Sequence, residues 1–528
     1  MNNPWDRFAE HRGWKQLLCT GLVLLILLAR VPHYWSGGEF VAEDGWVFFA
    51  DAWNHPFPGV LFLPYAGYFH LLARLVAELW SGLPIAGQPY AFAATGLLLN
   101  AVILSAFYLP AFRGVVAPDL GRLAVVLLLA LAPQAENLGL ILGLHWYLAF
   151  GLTLLLLVPA PVSRGAGIAV SALILLCIWS SPATFVLVPF ALAVCWRSPR
   201  RADRLQAALM CAAFLVVGVL IGLLRVEGAA RTGTFQWPDL VLSLDRLVLR
   251  GWLGVGLLGP RIAGYLAGGF PLVLDLAALG VFAGGLVWLW RNRSQEFARP
   301  VTLVLGAALL MLLFSLTRTA YVAELARLAL PRHGRYLTAP TLLLYVGLGI
   351  AASHARPGLR RGHVVALAGL LAALLIQALP GEIHWSRPAV WFHLRDAIPA
   401  VENLRAQHAR DGRPASLYLP SDVPYWGPVL EVGGGQIVRA AVGVVQAVGA
   451  TPDASGRYTS WLGRFARTGP DNWIDHEAWG RIEFTGIEKG RVFFRDAAGR
   501  LLFTSPLLYP RAWRLDGYEW SLLPPPAR

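Results

Sequence analysis

Uncharged apolar runs return again and again over the first 379 residues, and that repetition decides the solvent in which the chain folds. A helix rising about 1.5 Å per residue needs about 20 apolar residues to cross bilayer hydrocarbon, somewhat fewer where polar ends reach the headgroups. By that measure the runs predict about eleven transmembrane helices. They lie near 16–32, 90–112, 120–133, 138–159, 166–180, 182–196, 205–224, 271–290, 301–317, 336–353 and 362–379. Between 225 and 270 either interfacial helices or a further pair of spans fits, because the apolar stretch 240–258 is interrupted by Asp245, Arg246 and Arg250.

The expected fold is an all-α polytopic membrane bundle over residues 1–379 with a small soluble α+β or β-rich domain over 380–528. With 56% of its 528 residues hydrophobic and 14% charged, the chain does not have water as its main solvent. After Leu379 polar and apolar residues mix as in a soluble domain. A helix is predicted over 389–409, and strands over 481–487, 491–495 and 501–504, with a turn at 496–499. The net charge of +13 does not point to nucleic acid, because the arginines cluster in short loops between spans, where anionic membrane lipids meet them. The four cysteines lack CxxC spacing and read as small core residues. The first apolar run is followed by Arg30-Val31-Pro32-His33 rather than a cleavage site, so it is expected to remain as a transmembrane helix.

Arginine placement gives the bundle a direction. Arg7, Arg12 and Lys15, Arg113 and Arg122, Arg164, the group from Arg197 to Arg204, Arg291 to Arg299, and Arg356 to Arg361 all fall on one side under the eleven-span count. The N-terminus is then cytoplasmic and the tail extracytoplasmic.

Four clusters on the outer side are candidates for chemistry. In the first outer loop, 33–89, Glu43 and Asp44 precede Trp46, Phe49, Ala50 and Trp53 at helical spacing, which predicts a short amphipathic helix along the membrane surface. The pair is either a general base at the mouth of a lipid-facing cavity or a solvated helix cap. Tyr65, Tyr68 and His70, with Arg74 beyond them, are either interfacial belt residues or a sugar- or phosphate-recognition set. Glu136 and Asn137 form a turn before the fourth span, and His145 is expected some two turns below Asn137, as a site residue or as a helix-to-helix hydrogen bonder. Arg332, His333 and Arg335, followed by Tyr336, run against the charge trend of that side. They suit capture of phosphate oxygens, or pairing with lipid phosphates or Glu324.

These residues resemble the GT-C superfamily of membrane glycosyltransferases, whose members use polyprenyl-phosphate sugars. Glu43-Asp44 is similar in position to the acidic motif after the first span, and Arg335-Tyr336 to the arginine-tyrosine before a late span. The Glu136-Asn137 turn, His145-Trp146 and the Ser181-Pro182 break resemble bacterial membrane proteins grouped with that superfamily. The resemblance implies a multi-pass enzyme of the bacterial inner membrane that transfers sugar, with inversion, from a polyprenyl-phosphate donor to an envelope glycan, lipid or protein. Asp44, or Glu43 in its place, would be the base, and Arg335, with Arg332 or His333, would hold the donor phosphate. Tyr65, Tyr68, His70, Glu136, Asn137, His145 and Tyr336 would contact substrate. There is no Asp-x-Asp: Asp44 and Asp51 stand apart, so no cofactor and no metal ligand is expected, and a divalent metal is left open. The other classes in play are a transporter or flippase for lipid-linked or small anionic substrates, an envelope polysaccharide ligase or polymerase, and an assembly protein whose tail binds partners.

Overall fold

The computed structural model describes residues 13–31, 40–41, 43–84, 87–133, 137–161, 163–223, 237–316, 334–355 and 357–381, and the backbone of ten strands between 415 and 522. In chain order the helices are α1 (Trp14–Arg30), α2 (Ala50–Asn54), α3 (Leu71–Trp80), α4 (Gln88–Ser105) and α5 (Asp119–Ala130). Next come α6 (Leu144–Leu155), α7 (Arg164–Ser180), α8 (Val188–Arg197), α9 (Arg201–Leu223) and α10 (Trp237–Leu244). The last are α11 (Gly256–Gly269), α12 (Pro271–Arg291), α13 (Ala298–Ser315), α14 (Thr338–Ser353) and α15 (Pro357–Gly381). The chain divides into two compact units. One comprises Met1–Pro32, Leu63–Ala73 and Thr95–Ser386; the other comprises His33–Phe62, Arg74–Ala94 and Arg387–Arg528.

The first unit is helical. Among the described residues five helices of the chain are long and apolar enough to cross a membrane: Gln88–Tyr108, Arg201–Leu223, Pro271–Arg291, Ala298–Ser315 and Arg335–Ser353. A sixth arises if Arg164–Ser180 and Pro182–Arg197, bent by 116°, are one broken span. The long apolar helices bear out the membrane character expected of the chain. α14 is buried on every side and is the core helix of this unit. Its Pro340 lies in the first turn, where the missing N–H has no intrahelical partner to lose.

The fourth expected span, 138–159, is corrected. Its helix begins only at Leu144 and runs 12 residues, too short to cross a bilayer at about 1.5 Å per residue. Gly139, at a φ of 74°, sits in the left-handed region, and the segment from Asn137 to Gly143 is a compact loop. That loop lies against α4 where Gly96 faces Gly139. A Cβ on Gly96 would stand 2.5 Å from the Gly139 carbonyl oxygen and 2.7 Å from its carbon, so two backbones touch where any side chain would part them. Gly96→Ala is therefore expected to destabilise the protein by about 1–3 kcal/mol, the range for overpacking a tight contact. The check is a lower melting temperature in detergent; an unchanged one would show that the helix can give way.

Two arginines that the charge pattern leaves in loops or at span ends are interior clamps. Arg122, read as a loop cation, is wholly buried and donates to the carbonyls of Tyr108, Val116 and Ala117 and to Asp119. Arg30 donates to the Ala130 and Ala132 carbonyls at the C-terminus of α5, where the helix leaves acceptors unmet.

In the region 225–270, the described part holds α10, a π-helical stretch Asp245–Val255, and α11 broken at Gly259-Pro260. Gln377 bridges that break: its Nε2 donates to the Leu258 carbonyl at 2.8 Å and its Oε1 accepts from the Arg261 N–H at 3.2 Å. The interrupting charges pair, since Arg250 grips Asp275 of α12 through Nε and Nη2, both at 2.6 Å.

In the second unit the backbone strands form two antiparallel sheets. β1 (Ala415–Tyr418), β2 (Pro428–Val432) and β3 (Ile437–Arg439) make one in that order. The other, from β4 (Tyr458–Ser460) to β10 (Ser521–Leu522), is a meander of neighbouring strands. The helix expected over 389–409 lies outside the described residues.

Candidate functional site

The segment Tyr65–Tyr68 closes on itself as a two-residue turn. Tyr65 and Tyr68 exchange backbone hydrogen bonds at 2.7 and 3.0 Å, and the central Ala66 and Gly67 both have positive φ, the pattern of a type I′ turn. The turn brings both tyrosine rings about His70, at 5.9 and 6.0 Å between centroids. His70, buried and at a φ of 53°, then opens α3. Docking on the end of α7 fixes this corner: the Tyr68 hydroxyl donates to the Ile178 carbonyl, and Ser180 Oγ accepts from the Leu72 N–H at 2.8 Å. Burial pushes the Tyr68 phenol well above its ordinary range, so it stays protonated and its proton is committed to that carbonyl.

The His70 ring lies 5.7 Å from that of His145. Because the preceding loop is not helical, His145 sits in the first turn of α6 rather than two turns down a span. Its Nδ1 contacts the Leu142 carbonyl at 2.6 Å. A carbonyl only accepts, so that nitrogen carries the proton, and in neutral His145 Nε2 is the acceptor nitrogen. His145 packs on Trp146 at 4.8 Å, and Trp146 meets Tyr336 edge-on at 5.7 Å. The Arg335 guanidinium lies over the Tyr336 ring at 5.4 Å. Asn137 ties the loop to this corner: its Nδ2 donates to Thr338 Oγ1 at 2.7 Å and to the Arg335 carbonyl at 3.2 Å, so its amide group positions the arginine's backbone.

Tyr65, Tyr68, His70, Asn137, His145, Arg335 and Tyr336, scattered over some 270 residues of sequence, thus form one cluster. The first turns of α3, α6 and α14 meet there. Each helix start carries partial positive charge, which together with Arg335 makes the corner electropositive and suited to an anion. Trp146, which the sequence singled out only as the neighbour in the His145-Trp146 pair and not as a site residue, joins the cluster. Arg332, His333 and Glu136 lie outside the described residues.

Glu43 and Asp44 belong to the second unit and are buried, at 8% and 3% exposure. They open a π-helical turn, Asp44–Phe49, that continues as α2, and the Glu43 side chain makes no capping bond. Where an amphipathic surface helix is expected, Val47, Phe48, Phe49 and Ala50 are buried in succession, Asp51, Ala52 and Trp53 are half-buried and Asn54 is exposed. Phe40 stacks on Phe49 at 4.5 Å, and Arg74 covers Phe48 at 5.5 Å. Arg74 is paired with Asp51 at 2.8 Å. Among the described residues no group of three or more histidines, cysteines and carboxylates is placed to hold a metal ion.

Set against known proteins, the chain matches no family model, no curated protein and no solved structure.

Proposed function

We propose that the protein is a membrane glycosyltransferase that moves a sugar from a polyprenyl-phosphate donor to an envelope acceptor. The observation that carries this reading is the cluster at the start of α14. A guanidinium and three helix starts offer positive charge to a phosphate, while Tyr65, Tyr336, His70 and His145 supply the flat faces and ring nitrogens that hold a sugar. In the reaction the acceptor oxygen attacks the anomeric carbon from the side opposite the phosphate. Its proton passes to Asp44, or to Glu43 as substitute, and the C–O bond to phosphate breaks with inversion. Arg335 balances the charge gathering on the departing phosphate.

The same reading places the protein in the bacterial inner membrane as a multi-pass protein and takes the strands as a water-soluble domain on the extracytoplasmic side. Purified protein in proteoliposomes, offered a panel of polyprenyl-phosphate sugars, should release polyprenyl phosphate and glycosylate envelope material. Arg335→Lys removes bidentate phosphate capture and should raise the donor KM by about tenfold to a hundredfold, the worth of a hydrogen bond to a charged group. An unchanged donor dependence would make Arg335 structural.

A second reading, transport of a lipid-linked or small anionic substrate, draws on the broken helices at Ser181-Pro182 and Gly259-Pro260, a feature of transporters. Movement of a donor lipid across the proteoliposome membrane without any glycosyl product would decide for it.

A further inference from the structure

Trp146 is 4% exposed, and its Nε1–H, which can only donate, has no hydrogen-bond partner among the described residues. Buried indole N–H groups are usually met, and this fold meets another one, since Trp252 Nε1 donates to the Pro340 carbonyl at 2.9 Å. The indole of Trp146 stands against Tyr336, whose ring also carries the Arg335 guanidinium. The starts of α6 and α14 flank it. A donor-only group in electropositive surroundings is complemented by an anionic oxygen, not by a further donor.

We propose that Trp146 is a ligand-binding residue whose indole N–H donates to a phosphate oxygen held at Arg335. This rests on the reading of Arg335 as a phosphate clamp and adds a second, uncharged donor to it. An indole N–H keeps its proton at every working pH, and its fixed direction selects how the phosphate is turned, which a flexible guanidinium alone does not.

The test uses full-length protein in phosphatidylcholine nanodiscs and farnesyl phosphate as the probe, with Kd measured by calorimetry. Two variants remove the N–H: Trp146→Phe, and Trp146→benzothienylalanine, which keeps the bicyclic shape and replaces N–H by sulfur. Both should weaken binding by about tenfold to a hundredfold, with the ligand-free melting temperature of the benzothienylalanine protein unchanged. Equal affinity of that protein and wild type for farnesyl phosphate would overturn the role of Trp146 and leave the phosphate clamp standing. No binding of the probe by wild type would overturn the clamp and the inference together. Nanodiscs containing phosphatidylglycerol separate the phosphate sources. Competition by that lipid in wild type, weaker in the variants, would assign the contact to a bilayer phosphate; its absence would assign it to an isoprenyl phosphate.

Discussion

Exchanging Asp44 for Asn is expected to leave the protein folded and inserted while slowing sugar transfer by about a hundredfold to ten-thousandfold, the contribution of a positioned general base. Asparagine keeps the volume and one acceptor oxygen, so an unchanged melting temperature should accompany the loss. The residual rate reports on Glu43. If that neighbour substitutes as base, Glu43→Gln added to the Asp44 variant should remove what remains, whereas Glu43→Gln alone should cost little. Initial rates of polyprenyl phosphate release at saturating donor provide the measurement. Full activity of Asp44→Asn would take Asp44 out of the mechanism.

Apolar run length made much of the helical bundle legible. Expected spans at 90–112, 205–224, 271–290, 301–317 and 336–353 coincide with the five helices of membrane-spanning length, because length and hydrophobicity are local properties of the chain. The run at 138–159 failed because composition does not register conformation. Gly139 and Gly143 are counted with their apolar neighbours, yet Gly139 takes a left-handed φ and Gly143 backs onto Asn137, with a Cβ only 2.7 Å from its carbonyl oxygen. The tight approach of Gly96 that accompanies this loop lies some 40 residues away and leaves no periodic trace. The folded-back pair α7 and α8 does less damage to the reading. A pair bent by 116° heads back toward the face it left, so the arginines at 164 and at 197–204 can still share a side.

The candidate site was legible in its parts and not in its assembly. His70, His145 and Arg335 each stood out as polar groups in apolar surroundings, but their meeting depends on a two-residue turn at Ala66-Gly67 and on Asn137 reaching Thr338, neither of which a periodicity reports.

Removing the Asp275 carboxylate is expected to be among the most destabilising single changes in the helical unit. Arg250 is 7% exposed and is gripped at two points by Asp275, with Asp245 at 3.3 Å on its other side and Arg246 paired to Asp245 at 2.8 Å. The four charges cancel. Asp275→Ala leaves a net positive charge enclosed among apolar helices, a change that costs about 3–5 kcal/mol when one partner of a buried pair is lost. Reversible unfolding in mixed detergent should show that loss, and Arg250→Met combined with Asp275→Leu should recover most of it, since an apolar pair of similar size needs no desolvation. Wild-type stability in Asp275→Ala would mean that water reaches Arg250 and that the π-helical stretch is held by other contacts. The consequence reaches the candidate site through two further bonds. Arg250 anchors Asp245–Val255, whose Trp252 donates to the Pro340 carbonyl, and the adjoining Gly256 carbonyl accepts from Tyr345 at 2.7 Å. Both contacts fall on α14, so the helix that presents Arg335 is braced by a charge pair on another element. The double apolar variant should therefore regain stability and donor affinity together; if stability returned without affinity, the pair would be tuning the field around Arg335 rather than bracing its helix.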